Sequence, residues 1–259
     1  MTTLTMNPPG TFCWIELGTP DVSRARAFYE QVFGWSVVEI PMGPDFNYYF
    51  YQKGGKDVAA MYQLPPDMQQ QGIPSHWLSY VAVADVDASA ARAAGLGGTV
   101  MKGPFDVGDI GRMAVLLDPQ GGAFALWQAK NGPGIQLRDE PGTLAWSELT
   151  STDITGATAF YTTLFGWGTQ AMPMPGFEYT VFQREGQPVA GGMPRPKEME
   201  GIPTHWMPYF AVEDADATLE TARKCGAQTP MEVMAVEGVG RFVTFMDPTG
   251  AAVSVLQAG

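Results

Sequence analysis

The sequence predicts an α+β fold of two tandem domains, each a pair of βαβββ modules. Two observations carry this expectation. First, the chain is written twice. Phe12-Cys-Trp-Ile-Glu-Leu17 matches Leu144-Ala-Trp-Ser-Glu-Leu149, Ala27-Phe-Tyr29 matches Ala159-Phe-Tyr161, and Phe33-Gly-Trp35 matches Phe165-Gly-Trp167. Gly72-Ile-Pro-Ser-His-Trp77 returns as Gly201-Ile-Pro-Thr-His-Trp206, and these two stretches hold the only two histidines of the chain. Second, short strand-like runs alternate inside each copy with single stretches of helical period.

Trp146 follows Trp14 by 132 residues, and His205 follows His76 by 129. The drift falls between Trp35 and His76, where loops absorb deletions. The expected divisions are an N-terminal tail (1–10), a first domain (11–129), a linker rich in Gly, Pro and charge (130–142) and a second domain (143–259).

Phe12 to Leu17 is a short apolar run with strand character. Thr19-Pro-Asp21 opens a helix whose Val22, Ala25, Phe28, Tyr29 and Val32 recur at helical spacing, and Gly34 closes it. Trp35 to Ile40, Asn47 to Lys53 and Asp57 to Gln63 read as strands separated by Gly, Pro and Asp turns. After a Pro-rich connection the pattern repeats: strand His76 to Val83, helix Asp85 to Ala94, then strands near Thr99 to Phe105, Arg112 to Leu117 and Ala123 to Gln128.

Composition narrows the function. Fifteen basic against 27 acidic residues give a net charge of −12, which repels phosphate backbones and anionic lipid. Nucleic acid and membrane surfaces are therefore not expected partners. No apolar run reaches the ~20 residues of a membrane helix. The opening MTTLTMNPPG lacks the basic and apolar regions of a secretory signal. The two cysteines, Cys13 and Cys225, form no metal-binding or disulfide pattern, and a reducing cytoplasm is the expected compartment.

Three groups of residues resemble the vicinal oxygen chelate superfamily, which includes glyoxalase I, bleomycin-resistance proteins and extradiol dioxygenases. They are Asp21 to Trp35 after the first strand, the helix entry Val83-Ala-Asp-Val-Asp87, and the turn Asp118-Pro-Gln-Gly121 before the last strand. All three recur at Asp153 to Trp167, Val212 to Asp216 and Asp247 to Gly250. The resemblance implies paired modules whose curled sheets enclose a ligand cavity, and hosts lyases, dioxygenases, isomerases and binding proteins. It implies that one chain mimics the dimer of single-domain relatives, so that the protein is a monomer or a homodimer.

In metal-using members of that superfamily, His, Glu or Gln ligands stand on the first strand of each module and on the last strands. The matching positions are Trp14, Leu78 and Ala125, with Ala60 near the fourth, and in the second half Trp146, Met207 and Ser254, with Gly191 near the fourth. Indole, isobutyl and methyl groups do not bind metal ions. No metal and no cofactor is therefore expected. These positions, with Tyr48 and Tyr179 from an aromatic patch, are candidate ligand-binding residues.

Side chains two apart on a strand share a face, so Glu16 accompanies Trp14 and His76 accompanies Leu78. If the two first strands pair antiparallel with Trp14 opposite Leu78, then Glu16 meets His76, and Glu148 meets His205. Pairing across domains would set Glu16 against His205 instead. Glu16, His76, Glu148 and His205 are thus candidate acid–base residues, and a structural ion pair and a relocated metal site remain alternatives. Arg112 and Arg241 either hold an anionic group or cap surface charge. Cys13, adjoining Trp14, is expected to face away from the cavity.

Two functional classes follow. One is a metal-independent protein that binds a small, largely apolar or aromatic metabolite or drug. The other is a glyoxalase-like lyase or isomerase using the Glu/His pairs.

Overall fold

A computed structural model describes residues 6–44 and 46–259; residues 1–5 of the expected N-terminal tail lie outside the described residues. The first half runs β1 (Phe12–Thr19), α1 (Val22–Phe33), β2 (Ser36–Gly43), β3 (Phe46–Lys53), β4 (Lys56–Gln63), a short α2 (Pro66–Gln70) in the Pro-rich connection, β5 (His76–Ala82), α3 (Val86–Gly95), β6 (Thr99–Val107), β7 (Gly111–Leu117) and β8 (Ala123–Ala129). The second half repeats it with β9 (Leu144–Ser151), α4 (Ile154–Phe165), β10 (Gly168–Met174), β11 (Phe177–Arg184), β12 (Gln187–Pro194), β13 (His205–Ala211), α5 (Ala215–Lys224), β14 (Met234–Val236), β15 (Gly240–Met246) and β16 (Ala252–Ala258). The paired βαβββ architecture is therefore observed.

Each of the four longer helices starts on an aspartate whose carboxylate accepts a free backbone N–H of the first turn: Asp21, Asp85, Asp153 and Asp214. Gly34 and Gly166 end α1 and α4 in the left-handed conformation, where a side chain would be strained.

Each half forms one curled eight-stranded sheet, in the order β2-β3-β4-β1-β5-β8-β7-β6 and β10-β11-β12-β9-β13-β16-β15-β14. The first strands of the two modules pair within a half, β1 with β5 and β9 with β13, and both pairs are antiparallel. Alternation then divides the faces. Ile15, Leu17, Trp77, Val81, Phe124 and Leu126 point to the back, into a core shared by both halves and the helices. Trp14, Leu78, Tyr80, Ala125 and Trp127 line the front, concave face of the first sheet.

The halves interlock by reciprocal contacts. Trp35 donates its indole N–H to the Gly142 carbonyl at 2.7 Å, and Trp167 donates to the Gly10 carbonyl at 2.9 Å. Phe33 packs on Phe210, and Phe12 packs on Trp206. Asn7 is buried and donates to the carbonyls of Pro133 and Ile135, so this part of the expected tail belongs to the packed body.

Candidate functional site

The register departs from the sequence expectation by two residues. Trp14 lies opposite Tyr80, Glu16 opposite Leu78, and Gly18 opposite His76. In the second half Trp146 lies opposite Tyr209, Glu148 opposite Met207, and Thr150 opposite His205. A slip of two keeps every side chain on its face and changes every partner. The Glu16–His76 and Glu148–His205 hydrogen bonds therefore do not form. Each histidine instead places Nδ1 2.9 Å from a proline carbonyl, His76 on Pro74 and His205 on Pro203. A carbonyl only accepts, so Nδ1 carries a proton in each ring.

Two phenols take the place expected of histidine. The Tyr48 hydroxyl donates to Glu16 Oε2 at 2.6 Å, and the Tyr80 hydroxyl donates to Oε1 at 2.5 Å. Trp14 Nε1–H donates to the Tyr48 oxygen at 2.8 Å. The second half rebuilds the same network: Tyr179 and Tyr209 each donate to Glu148 at 2.8 Å, and Trp146 donates to Tyr179 at 2.9 Å. Strand β3 brings Tyr48 and β11 brings Tyr179, while β5 and β13 supply Tyr80 and Tyr209. The aromatic patch is thus one strand of a hairpin that reaches across the sheet floor.

Glycine makes room for that reach. A Cβ on Gly191 would collide with the phenol of Tyr179, which crosses β12 on its way to Glu148. The small residue near the fourth position is explained by the ring that lies over it.

Burial dominates the electrostatics. Desolvation raises the pKa of Glu16 and Glu148 above the ordinary carboxylate value, against the opposing effect of the two phenol hydrogen bonds on each. Burial and the facing carboxylate push Tyr48, Tyr80 and Tyr209 well above their ordinary range, so these phenols stay protonated donors.

Tyr80 and Tyr209 were not among the sequence candidates. The signal was present, since Leu78-Ser-Tyr80 and Met207-Pro-Tyr209 keep a tyrosine two residues beyond each candidate position, on the same face.

Cys13 also departs from expectation. The β1–β5 register shifts between Phe12 and Trp14, and this bulge turns Cys13 into the front cluster with Leu78, Tyr80 and Ala125. It is fully buried, and desolvation pushes its thiol up to about 12. Arg112 pairs with Asp87 and Asp106, and Arg241 pairs with Asp216, so both cap surface charge.

Comparison with known proteins places this geometry. The profile of the "Glyoxalase/Bleomycin resistance protein/Dioxygenase superfamily" matches residues 11–126. A Mycobacterium tuberculosis protein named "Putative glyoxylase CFP32" is 41% identical over 250 residues, spanning 96% of this chain and 95% of its own length. The chain belongs to the glyoxalase/bleomycin resistance protein/dioxygenase superfamily. Within that superfamily it is also 34% identical to the "Anthracycline biosynthesis protein DauV" of Streptomyces sp. strain C5, across 98% of this chain and 95% of that one. Two solved structures share the fold. The Mn(II)-bound glyoxalase of Novosphingobium aromaticivorans gives a TM-score of 0.66 at 17% identity, covering 98% of this chain and 83% of that one. The 2,2',3-trihydroxybiphenyl 1,2-dioxygenase of Sphingomonas wittichii gives 0.64 at 13%, covering 97% and 91%.

The residues present do not fit the metal that many members of this superfamily carry. Trp14, Leu78 and Ala125 share the floor with Glu16, and both oxygens of that carboxylate are already held by phenols. Met207 and Ser254 stand at the matching places in the second half. Among the described residues no group of three or more His, Cys, Asp or Glu is placed to hold a metal ion.

Proposed function

We propose that the protein binds a small, largely apolar or aromatic metabolite or drug on the concave face of one or both sheets, without a metal. The observation that carries this reading is the twice-built floor, on which indole, alkyl and phenol groups surround a carboxylate already satisfied by two phenols. Such a surface offers apolar contact area and stacking rings, with few polar groups to orient the ligand. Similarity to proteins named for anthracycline biosynthesis supports a planar aromatic ligand. The reciprocal contacts between halves favour a monomer, and the two free cysteines favour the cytoplasm.

The test is calorimetric titration with a panel of planar aromatic compounds, read alongside the Trp14→Phe and Trp146→Phe variants. Binding of an unchanged ligand, weakened by either substitution, supports the reading. Saturable binding by no member of the panel would sink it.

A second reading is a glyoxalase-like lyase or isomerase in which Glu16 and Glu148 move a proton. The raised pKa of both carboxylates and the names of the mycobacterial relatives favour it. Product formation abolished by Glu16→Gln with Glu148→Gln would establish it.

A further inference from the structure

The duplication supplies an internal control, because the two floors share the Trp-Tyr-Glu-Tyr network and differ beside it. Next to Tyr80 the first sheet places Ala125 on β8, and Val115 on β7 lies opposite Ala125. Next to Tyr209 the second sheet places Ser254 on β16, and Thr244 on β15 lies opposite Ser254. An alkyl pair in one half is a hydroxyl pair in the other. The two hydroxyl oxygens are 2.6 Å apart and share a hydrogen bond.

A hydroxyl can donate one proton and accept on its oxygen, so a reachable hydroxyl bonds a polar ligand group where an alkyl side chain cannot. Ser254 is fully buried, whereas Thr244 is partly exposed, so Thr244 is the end a ligand can reach.

We infer that the second concave face is a site distinct from the first, selective for a ligand that brings a hydrogen-bonding group (an alcohol, phenol or carbonyl) to Thr244. The first face accepts an apolar edge at the same place, against Val115 and Ala125. This rests on the binding reading above and specifies the ligand chemistry of each half.

The test uses two probes of nearly equal shape, 1-naphthol with a hydroxyl and 1-methylnaphthalene with a methyl group in its place. Each is titrated into the full-length protein while the indole N–H resonances of Trp14 and Trp146 report which face is filled. At the Trp146 face 1-naphthol binds about tenfold more tightly, the worth of one hydrogen bond. The preference disappears in Thr244→Val with Ser254→Ala, which installs the residue types of the first half. The reciprocal Val115→Thr with Ala125→Ser transfers it to the Trp14 face. Equal affinity for both probes at the Trp146 face, or a preference that survives Thr244→Val with Ser254→Ala, overturns the inference and leaves the binding reading standing. Absence of saturable binding by either probe at either face overturns both.

Discussion

The Tyr29 hydroxyl on α1 donates to Oδ2 of Asp247, 218 residues away in the other half, at 2.8 Å, and Tyr161 on α4 donates to Asp118 at 2.9 Å. Both phenols also accept an indole N–H, Tyr29 from Trp77 at 3.1 Å and Tyr161 from Trp206 at 2.8 Å. The second oxygen-bearing arm of each aspartate holds its own turn, through the backbone N–H groups of Gln120 and Gly122 or of Thr249 and Ala251. Three repeated motifs, the Phe-Tyr of the helix, the His-Trp strand entry and the Asp-Pro turn, thus meet at two buried points that join the halves.

Removing one phenol tests that junction. Tyr29→Phe or Tyr161→Phe leaves a buried carboxylate oxygen and an indole N–H without a partner, at a cost of about 2 kcal/mol each. Urea unfolding followed by fluorescence and circular dichroism gives a single transition with a lowered midpoint. Two separate transitions in the wild type, or no change in either variant, would show that the halves are not coupled through these residues.

The carboxylates at the centre of each floor give stability a pH dependence of known sign. The folded-state pKa of Glu16 and Glu148 lies above the ordinary 4.5, so the folded chain holds the proton longer than the unfolded chain. Their contribution is fully present below the unfolded value and falls as pH rises through the folded value. Glu16→Gln with Glu148→Gln removes this fall and keeps groups that the phenols can bond. Thermal unfolding from pH 4 to 8 therefore shows the variant gaining on the wild type as pH rises. A gap that narrows with rising pH contradicts the assignment.

The histidines are expected to be nearly silent in stability. His76→Ala and His205→Ala each remove one part-exposed hydrogen bond to a proline carbonyl, worth about 1 kcal/mol or less. Glu16→Ala instead strands two buried phenols and leaves a hole, for about 3 kcal/mol. Equal losses in the two cases, measured by chemical denaturation, would mean that histidine and carboxylate act as one unit after all.

Thiol chemistry distinguishes the two cysteines. Cys13 is fully buried with its thiol raised to about 12, whereas Cys225 is partly exposed. A maleimide or disulfide reagent modifies Cys225 in the folded protein and reaches Cys13 only after denaturation. Rapid labelling of Cys13 in native buffer would place it outside the front cluster.

Much of this molecule was legible in its sequence. The repeat gave two halves, and periods of two and of 3.6 placed strands and helices close to where they stand. Aspartates and glycines marked the helix ends, as at Asp21 and Gly34. Alternation put Trp14, Glu16, His76 and Leu78 on one face, because that property is local to each strand.

Partnership was not local. Whether Glu16 faces His76 or Leu78 depends on how far one strand slides along another, and an even slide leaves the hydrophobic pattern of both strands untouched. The bulge at Cys13 and the close approach of Tyr179 over Gly191 likewise arise only when distant strands are brought together. Sequence by itself determined the fold, the repeat and the apolar character of the floors, since each follows from residue type and periodicity. The tertiary structure decided which hydroxyls reach each carboxylate and which aspartate meets which tyrosine, because hydrogen bonds depend on tenths of an ångström between groups far apart in the chain.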